Sequence, residues 1–194
     1  MRELLVILLS LYAMFQNVVV GNTSVGGQTV IGGGVTGGAC TTLSDSVTTG
    51  TVAESVWSSS GKVWNAGTFT AGSSYTLCKL SISAAKVGSP TMSVTAFIYN
   101  DSSNAPGSQV GTGSGSVAVS TFPASQGDVF FTGMNVSIVN GTKYWIAIQS
   151  TAQDGVNNAS WFVGAGSDFF DASANGTTWT NEDSNIKARF ATYH

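Results

Sequence analysis

Side chains that could do acid–base or nucleophilic chemistry are scarce in this sequence. Its single histidine is His194, so a serine or cysteine nucleophile has no plausible imidazole base inside the fold. The carboxylates closest to one another in sequence form two pairs, Asp168 with Asp171 and Glu182 with Asp183. Such pairs can do acid–base chemistry, but aspartates in loops more often begin turns. The sequence therefore predicts a protein that is not an enzyme.

Carboxylates could also hold a calcium ion together with backbone carbonyl groups of the loops. No calcium-loop motif is present, so the candidate ligands are isolated aspartates: Asp101, Asp154, Asp168 and Asp171. Calcium is the one cofactor that the sequence leaves open.

The two cysteines, Cys40 and Cys78, are too few for a zinc site without an internal histidine. They suffice for one disulfide, which would stabilise the fold by about 3–4 kcal/mol in the loop-entropy model. The alternative is two free thiols, because Cys78 lies in an apolar row and could belong to the core. An oxidising compartment would favour the disulfide.

Five tryptophans are many for one small domain, and sugars stack well on exposed indole faces. Most of them should be core residues. Trp161 and Trp179 have polar neighbours near loops, so they are the pair predicted to contact a glycan if one is bound.

The composition indicates a folded protein of the extracellular type. The 194 residues are 42% hydrophobic and only 9% charged, against roughly a quarter charged in an average soluble domain. Seven basic and ten acidic residues give a net charge of −3, which excludes nucleic acid as a partner. Ten Phe, five Trp and five Tyr are more than a disordered chain normally keeps.

The elements that must position these residues are short strands. Beyond residue 51, apolar and polar residues alternate in runs at about 63–69, 75–85, 92–99, 116–120, 129–132, 135–139, 143–150, 159–163 and 186–193. This pattern predicts an all-β, two-sheet antiparallel β-sandwich, with a closed barrel as the alternative. The runs 75–85 and 92–99, joined by a turn at Gly88-Ser89-Pro90, should form a hairpin.

Within the run 143–150 the period of two separates two faces. Tyr144, Ile146 and Ile148 should face the core, while Trp145 and Ala147 point the other way. Trp145 is thus either covered by a second layer or exposed.

The chain divides into an apolar segment 1–20, a Gly/Thr-rich linker or stalk 21–50, and the sandwich domain 51–194. The apolar segment has the form of a signal peptide ending before Asn22, and it is short for a transmembrane span. A third interpretation is a helix that anchors or oligomerises the chain through residues spaced by three and four: Leu4, Leu8, Leu11, Phe15 and Val18.

The strand region resembles a known family. The residues that carry the likeness are Ser74-Tyr75-Thr76-Leu77, the run 94–101 followed by Pro106-Gly107-Ser108, and the run 140–148. They resemble the choice-of-anchor type of extracellular jelly-roll modules, which occur in secreted bacterial proteins and in phage structural proteins. The likeness covers about residues 63–165 and implies a jelly-roll-like fold, with no ligand residues to carry over. The C-terminal sorting signal of the family is absent, so attachment is expected through the N-terminal segment.

These observations favour a non-enzymatic structural protein displayed on an extracellular assembly, such as a virion (phage) fibre or decoration protein with an outward-facing sandwich. The alternative is a secreted or cell-surface carbohydrate-binding or adhesion module with a cleaved signal peptide. The expected partners are further copies of the chain, with a trimer preferred, other proteins of the assembly and surface glycans. The expected location is the virion surface or the extracellular space.

Overall fold

The computed structural model describes residues 30–31, 34–35, 40–57, 61–152, 154–168 and 170–194. The chain divides into two units, 1–40 and 41–194. In the first, β1 (Val30–Ile31) pairs antiparallel with β2 (Gly34–Val35). The apolar segment lies outside the described residues, together with its predicted anchor positions Leu4, Leu8, Leu11, Phe15 and Val18.

The second unit is an antiparallel β-sandwich of two sheets, as the sequence predicts. The first sheet contains β3 (Leu43–Val47), β4 (Val52–Val56), β6 (Tyr75–Val87), β10 (Gly127–Ile138), β12 (Asn158–Ala165), β15 (Ile186–Ala188) and β16 (Phe190–Tyr193). The second contains β5 (Trp64–Thr70), β7 (Ser93–Asp101), β8 (Pro106–Val110), β9 (Val117–Ala118), β11 (Lys143–Ser150), β13 (Phe170–Ser173) and β14 (Trp179–Asp183). A short 3₁₀ turn spans Val119–Thr121.

The strand order of the first sheet is β15-β12-β6-β16-β3, with β10 also paired to β6 and β4 to β12. The order of the second sheet is β14-β13-β5-β11-β7-β8, with β9 also paired to β7. Because β3 pairs with β16, the sandwich begins before the predicted boundary at residue 51. Among the described residues we find no helix with the length and apolar character needed to cross a membrane.

The core lies between the sheets and follows the predicted alternation. Tyr144, Ile146 and Ile148 of β11 are buried in it, which confirms the predicted inner face of this strand. Opposite them, the inner positions of β6 are Leu80, Ile82 and Ala84. The apolar rows of the two sheets therefore meet as one core.

The predicted hairpin of the runs 75–85 and 92–99 is wrong. The first run lies in β6, which pairs with β10, β12 and β16, whereas the second lies in β7, which pairs with β8, β9 and β11. Both strands bury their apolar side in the same core, so they face each other across it. The turn at Gly88, which has a φ of +66°, carries the chain from one sheet to the other.

Two predicted boundaries also change. The runs 129–132 and 135–139 form the single strand β10, whose pairing with β6 is interrupted between Thr132 and Val136 near Gly133 (φ +80°). The predicted run 186–193 is divided at Arg189 into β15, which pairs with β12, and β16, which pairs with β6 and β3. The strand thus changes partners along its length.

Candidate functional site

The two tryptophans predicted to contact a glycan lie on different sheets. Trp161, on β12, is 0% exposed; its ring meets Phe170 edge to face at 5.5 Å, and its Nε1 donates to the carbonyl of Arg189 at 3.0 Å. A ring enclosed on every side offers no face to a sugar, so the prediction is wrong for Trp161. Trp179, on β14, is partly exposed on the outer side of the second sheet.

Trp179 belongs to a cluster of rings that the sheet brings together on this outer side. We call this cluster the aromatic face and define it by Trp64 of β5, Phe97 and Tyr99 of β7, Trp145 of β11, and Trp179. These residues occupy the alternate positions that point away from the core, so the period of two that builds the core also builds this second cluster. The exposure of Trp145, which the sequence left open, is thereby answered: Trp145 is fully buried within the aromatic face.

The rings meet at distances typical of favourable aromatic pairs. The ring centroid of Trp64 lies 5.3 Å from that of Phe97, and Trp179 meets Trp64 and Tyr99 nearly edge to face at 6.2 Å and 6.1 Å. Ala66 and Ala147 are fully buried within the same cluster and face each other across β5 and β11. Their small side chains leave room for the rings around them. Phe97 and Trp179 keep part of their surface open to solvent.

Hydrogen bonds fix one end of the aromatic face. Trp145 Nε1 donates to Asp101 Oδ1 at 2.8 Å. Lys143 Nζ lies 3.4 Å from the same oxygen and donates to Asn104 Oδ1 at 2.8 Å. The ammonium group is also 5.6 Å from the Trp145 ring centroid, within cation–π range. A buried indole is thus held between a carboxylate and a cation.

The turn between β13 and β14 positions Trp179 at the other end. Ser173 Oγ donates to the carbonyl of Thr178 at 2.6 Å and accepts the N–H of Gly176 at 3.0 Å. Asn175 Oδ1 accepts the backbone N–H groups of Thr177 and Thr178, both at 2.9 Å. Gly176 has a φ of +72°, and a Cβ there would lie 2.8 Å from the Trp64 ring. Only glycine lets this turn lie so close to the indole.

Polar groups of β13 and of the strands that carry the rings border the aromatic face. Asp171 of β13 is 1% exposed and accepts a hydrogen bond from Asn181 Nδ2 at 2.9 Å. Burial raises the pKa of this carboxyl, an effect that the hydrogen bond from Asn181 and the charge of Lys143 partly offset. Burial likewise raises the pKa of the Tyr99 phenol. Trp179 Nε1 is buried and has no hydrogen-bond partner among the described residues.

The four aspartates predicted as calcium ligands are distributed over three places. Asp101 and Asp171 border the aromatic face, as described above. Asp168 pairs with Lys187 at 3.6 Å. Asp154 accepts the N–H groups of Val156 and Asn157, and these hydrogen bonds lower the pKa of its carboxyl. Within the described part of the chain no group of three or more His, Cys, Asp or Glu side chains is placed to hold a metal, and calcium stays a prediction.

Both cysteines, Cys40 and Cys78, are disulfide-bonded in the structure. Of the two alternatives left open by the sequence, the disulfide is therefore the one observed, and the free thiols are not.

The lone histidine has a partner that the sequence did not reveal, since His194 Nδ1 lies 2.7 Å from Ser44 Oγ of β3. Nearby, the Tyr75 hydroxyl donates to Asp45 Oδ2 at 2.7 Å and lies 2.8 Å from Thr192 Oγ1. Burial raises the pKa of Tyr75 far above its ordinary value. These contacts join β3, β6 and β16.

Sequence reasoning missed Trp64, Tyr99 and Phe97 as site residues. A signal for the cluster was present, because β5 reads Trp64-x-Ala66 and β11 reads Trp145-x-Ala147 on the face opposite the core. Large rings beside small side chains on an outward face indicate a second layer of packing. An outward aromatic surface bordered by carboxylate, amide and ammonium groups can stack on a sugar ring and bind its hydroxyl groups.

No family model matches this chain, and no curated protein is significantly similar to it.

Proposed function

We propose that the chain is a non-enzymatic attachment protein displayed on an extracellular assembly, of the virion fibre or decoration type, and that its sandwich binds surface carbohydrate through the aromatic face. The observation that carries the proposal is the gathering of five rings on the outward side of the second sheet. Sugars bind to such surfaces because their C–H faces stack on aromatic rings while neighbouring polar groups orient their hydroxyls.

The ring exposures suggest how a glycan would lie. Trp64, Tyr99 and Trp145 are nearly or fully buried and form the base, whereas Phe97 and Trp179 offer open ring surface. The Nε1 of Trp179 is buried without a hydrogen-bond partner among the described residues, so it is a further donor that a sugar oxygen would satisfy. Asn181, which is exposed beside Trp179, can orient a hydroxyl group.

The extracellular setting rests on two supports. The disulfide is of the kind that forms and persists in oxidising compartments. The low proportion of charged residues leaves Ser, Thr, Asn and Gly to cover the surface. The resemblance to choice-of-anchor modules, found in secreted and phage structural proteins, agrees with this setting.

The carbohydrate part is tested by screening the full chain against an array of glycans and repeating the positive ligands with Trp179→Ala. We expect the variant to bind at least about tenfold more weakly, because it loses the most accessible indole of the face. Phe130→Ala is the matched control: Phe130 is a 48% exposed aromatic residue on the first sheet, and its loss should leave binding unchanged. Absence of glycan binding by the native chain, or equal binding by Trp179→Ala, would overturn the proposal.

The assembly part is tested by the intact mass of the native particle and of its denatured chain. We expect a full-length chain in a multiple of itself, with three copies preferred. The second candidate, a secreted carbohydrate-binding module, is favoured by the signal-peptide form of residues 1–20 and predicts a monomer shortened to about residue 22. That outcome would reject the assembly while leaving the aromatic face as the binding site.

A further inference from the structure

A second recess lies away from the aromatic face, at the edge of the sandwich where β4 of the first sheet comes near β5, β13 and β14 of the second. We call it the edge cleft and define it by six of its lining residues: Glu54, Trp57, Asn65, Phe170, Glu182 and Asp183. Its volume is about 150 Å³. Since one water occupies about 30 Å³ of the liquid, the edge cleft has room for several waters or for one small organic molecule.

Two of the side chains that line the edge cleft each carry a buried polar atom with no hydrogen-bond partner among the described residues. Trp57 Nε1, a donor, belongs to a residue that is 1% exposed, and Asn65 Oδ1, an acceptor, to one that is 6% exposed. A buried polar group left without a hydrogen bond costs about 1–3 kcal/mol. Two such groups on side chains that line one recess indicate that a polar ligand bound there pairs with them.

The backbone holds these two side chains in place. Trp57 directly follows β4 in the left-handed region (φ +57°), and its carbonyl accepts the N–H of Asp154 at 3.1 Å. Asn65 lies on β5, paired on one side with Ile148 of β11 and on the other with Ala172 of β13. A donor from one sheet and an acceptor from the other are thereby fixed before any ligand arrives.

The charged groups restrict which ligand fits. Three carboxylates, those of Glu54, Glu182 and Asp183, disfavour an anion. Lys62 forms an ion pair with Glu182, and both side chains are partly exposed. An ammonium ion would satisfy the carboxylates and Asn65 Oδ1, but it has no acceptor for Trp57 Nε1. A hydroxyl group both accepts and donates, so a molecule with several hydroxyls satisfies every one of these groups.

We propose that the edge cleft is a binding site for a small neutral polyhydroxylated molecule of the monosaccharide class, with Trp57 Nε1 donating to one ligand oxygen and Asn65 Oδ1 accepting from a ligand hydroxyl. Phe170 gives the cleft an apolar wall suited to the C–H face of a sugar. This site is separate from the aromatic face and does not depend on the proposed function.

The test uses the ¹⁵N-labelled full chain and the resonances of its five indole N–H groups. The Trp57 resonance is assigned by its absence in Trp57→Phe. Glucose, galactose, mannose, N-acetylglucosamine and glycerol are each added up to tens of millimolar. We expect at least one sugar to shift the Trp57 resonance saturably while the Trp179 resonance stays in place.

Affinities by calorimetry complete the test. Trp57→Phe, which keeps an aromatic ring but loses the N–H donor, should bind that sugar about tenfold more weakly, and Trp179→Phe should bind it normally. If Trp57→Phe does not fold, Glu54→Gln should weaken binding at the same cleft. The proposal is overturned if no probe shifts the Trp57 resonance, if Trp57→Phe or the substituting Glu54→Gln binds normally, or if a sugar-soaked crystal holds only ordered water there. If only Trp179→Phe loses sugar binding, the proposal for the edge cleft is overturned as well, and the result supports the aromatic face as the sugar-binding site.

Discussion

The outer surfaces of the two sheets differ although both come from the same alternation of residues. On the first sheet, the β6 positions that point away from the core hold Lys79 and two buried serines, Ser81 and Ser83, and Phe130 of the neighbouring β10 stays 48% exposed. Lys79 Nζ lies 4.2 Å from the Tyr193 ring centroid and 5.4 Å from that of Phe130, so the ammonium group is within cation–π range of both rings. On the second sheet, the outward positions of β5, β7 and β11 form the aromatic face, in which three rings are nearly or fully buried.

The difference teaches that an outward face can hold a packed cluster of its own. On the first sheet the outer rings of Phe130 and Tyr193 also pair, with centroids 6.3 Å apart, but both rings keep part of their surface open to solvent. On the second, Ala66 and Ala147 lie among the rings, and the rings contact one another. Four variants or pairs of variants would break or sharpen this comparison, taken here from the largest expected effect to the smallest.

The largest difference should come from removing one ring on each sheet. Trp145→Ala should lower the free energy of unfolding by about 3–5 kcal/mol, because it opens a cavity and leaves Asp101 without its indole donor. Phe130→Ala should cost about 1 kcal/mol or less, since its ring is half exposed. Urea unfolding of both variants measures the difference. Similar costs would mean that the aromatic face is no more tightly packed than the first sheet.

The second pair concerns two glycines with the same backbone conformation. Gly141, in the turn before β11, has a φ of +73° and open space around it, whereas Gly176 (φ +72°) lies against the Trp64 ring. Gly141→Ala should cost about 1–2 kcal/mol from conformation alone. Gly176→Ala should cost about 1 kcal/mol or more beyond that, because its methyl group displaces the ring. Equal thermal shifts for both variants would show that the contact with Trp64 is loose.

The third pair compares two tyrosines, one on each sheet. Tyr75→Phe removes the hydroxyl that joins Asp45 and Thr192, so it should cost about 1–2 kcal/mol. Tyr99→Phe on the aromatic face should cost about 0.5 kcal/mol or less, since burial, with no hydrogen bond contributing, accounts for the raised pKa of its phenol. Chemical denaturation checks both values. A larger cost at Tyr99 would contradict the view that the first sheet depends on polar contacts where the second depends on rings.

The smallest effect concerns pH and the carboxyl of Asp171. Burial raises its pKa in the folded state, so folding favours the protonated form. The stabilisation is fully present below the unfolded pKa of about 4 and is lost as the pH rises through the raised value. Asp171→Asn keeps an acceptor for Asn181 and should remove this part of the pH dependence. Urea midpoints measured from pH 4 to 7 test it, and parallel profiles for the two proteins would refute it.

The sequence predicted inner faces better than partners. The alternation in β11 assigned Tyr144, Ile146 and Ile148 to the core. The side of a strand on which a residue lies depends only on its position in the local alternation of the sequence. Which sheet a strand joins depends on pairings distant in sequence, and for this reason the predicted hairpin of β6 and β7 is wrong. The aromatic face likewise needs strands from four parts of the chain.

Polar neighbours in the sequence led to the same prediction, exposure to a glycan, for Trp161 and Trp179, but the structure differs at the two positions. Asn158 and Ser160 precede Trp161 but are themselves buried, and Asn158 Nδ2 donates to the carbonyl of Asp154 at 3.0 Å. Their polarity therefore does not indicate exposure. Around Trp179, by contrast, Thr178 and Thr180 are exposed, and the ring lies at the surface.

The pairing of β3 with β16 has a consequence for how fast the domain can form. Asp45 and Thr192, which contact each other, are separated by 147 positions in the chain. Closing so long a loop lowers the conformational entropy of the chain before any contact between β3 and β16 can compensate for that loss. Folding should therefore be slow. Until β16 arrives, part of β6 has an unpaired edge that can add a strand from another copy. The yield of refolded protein should therefore fall as its concentration rises.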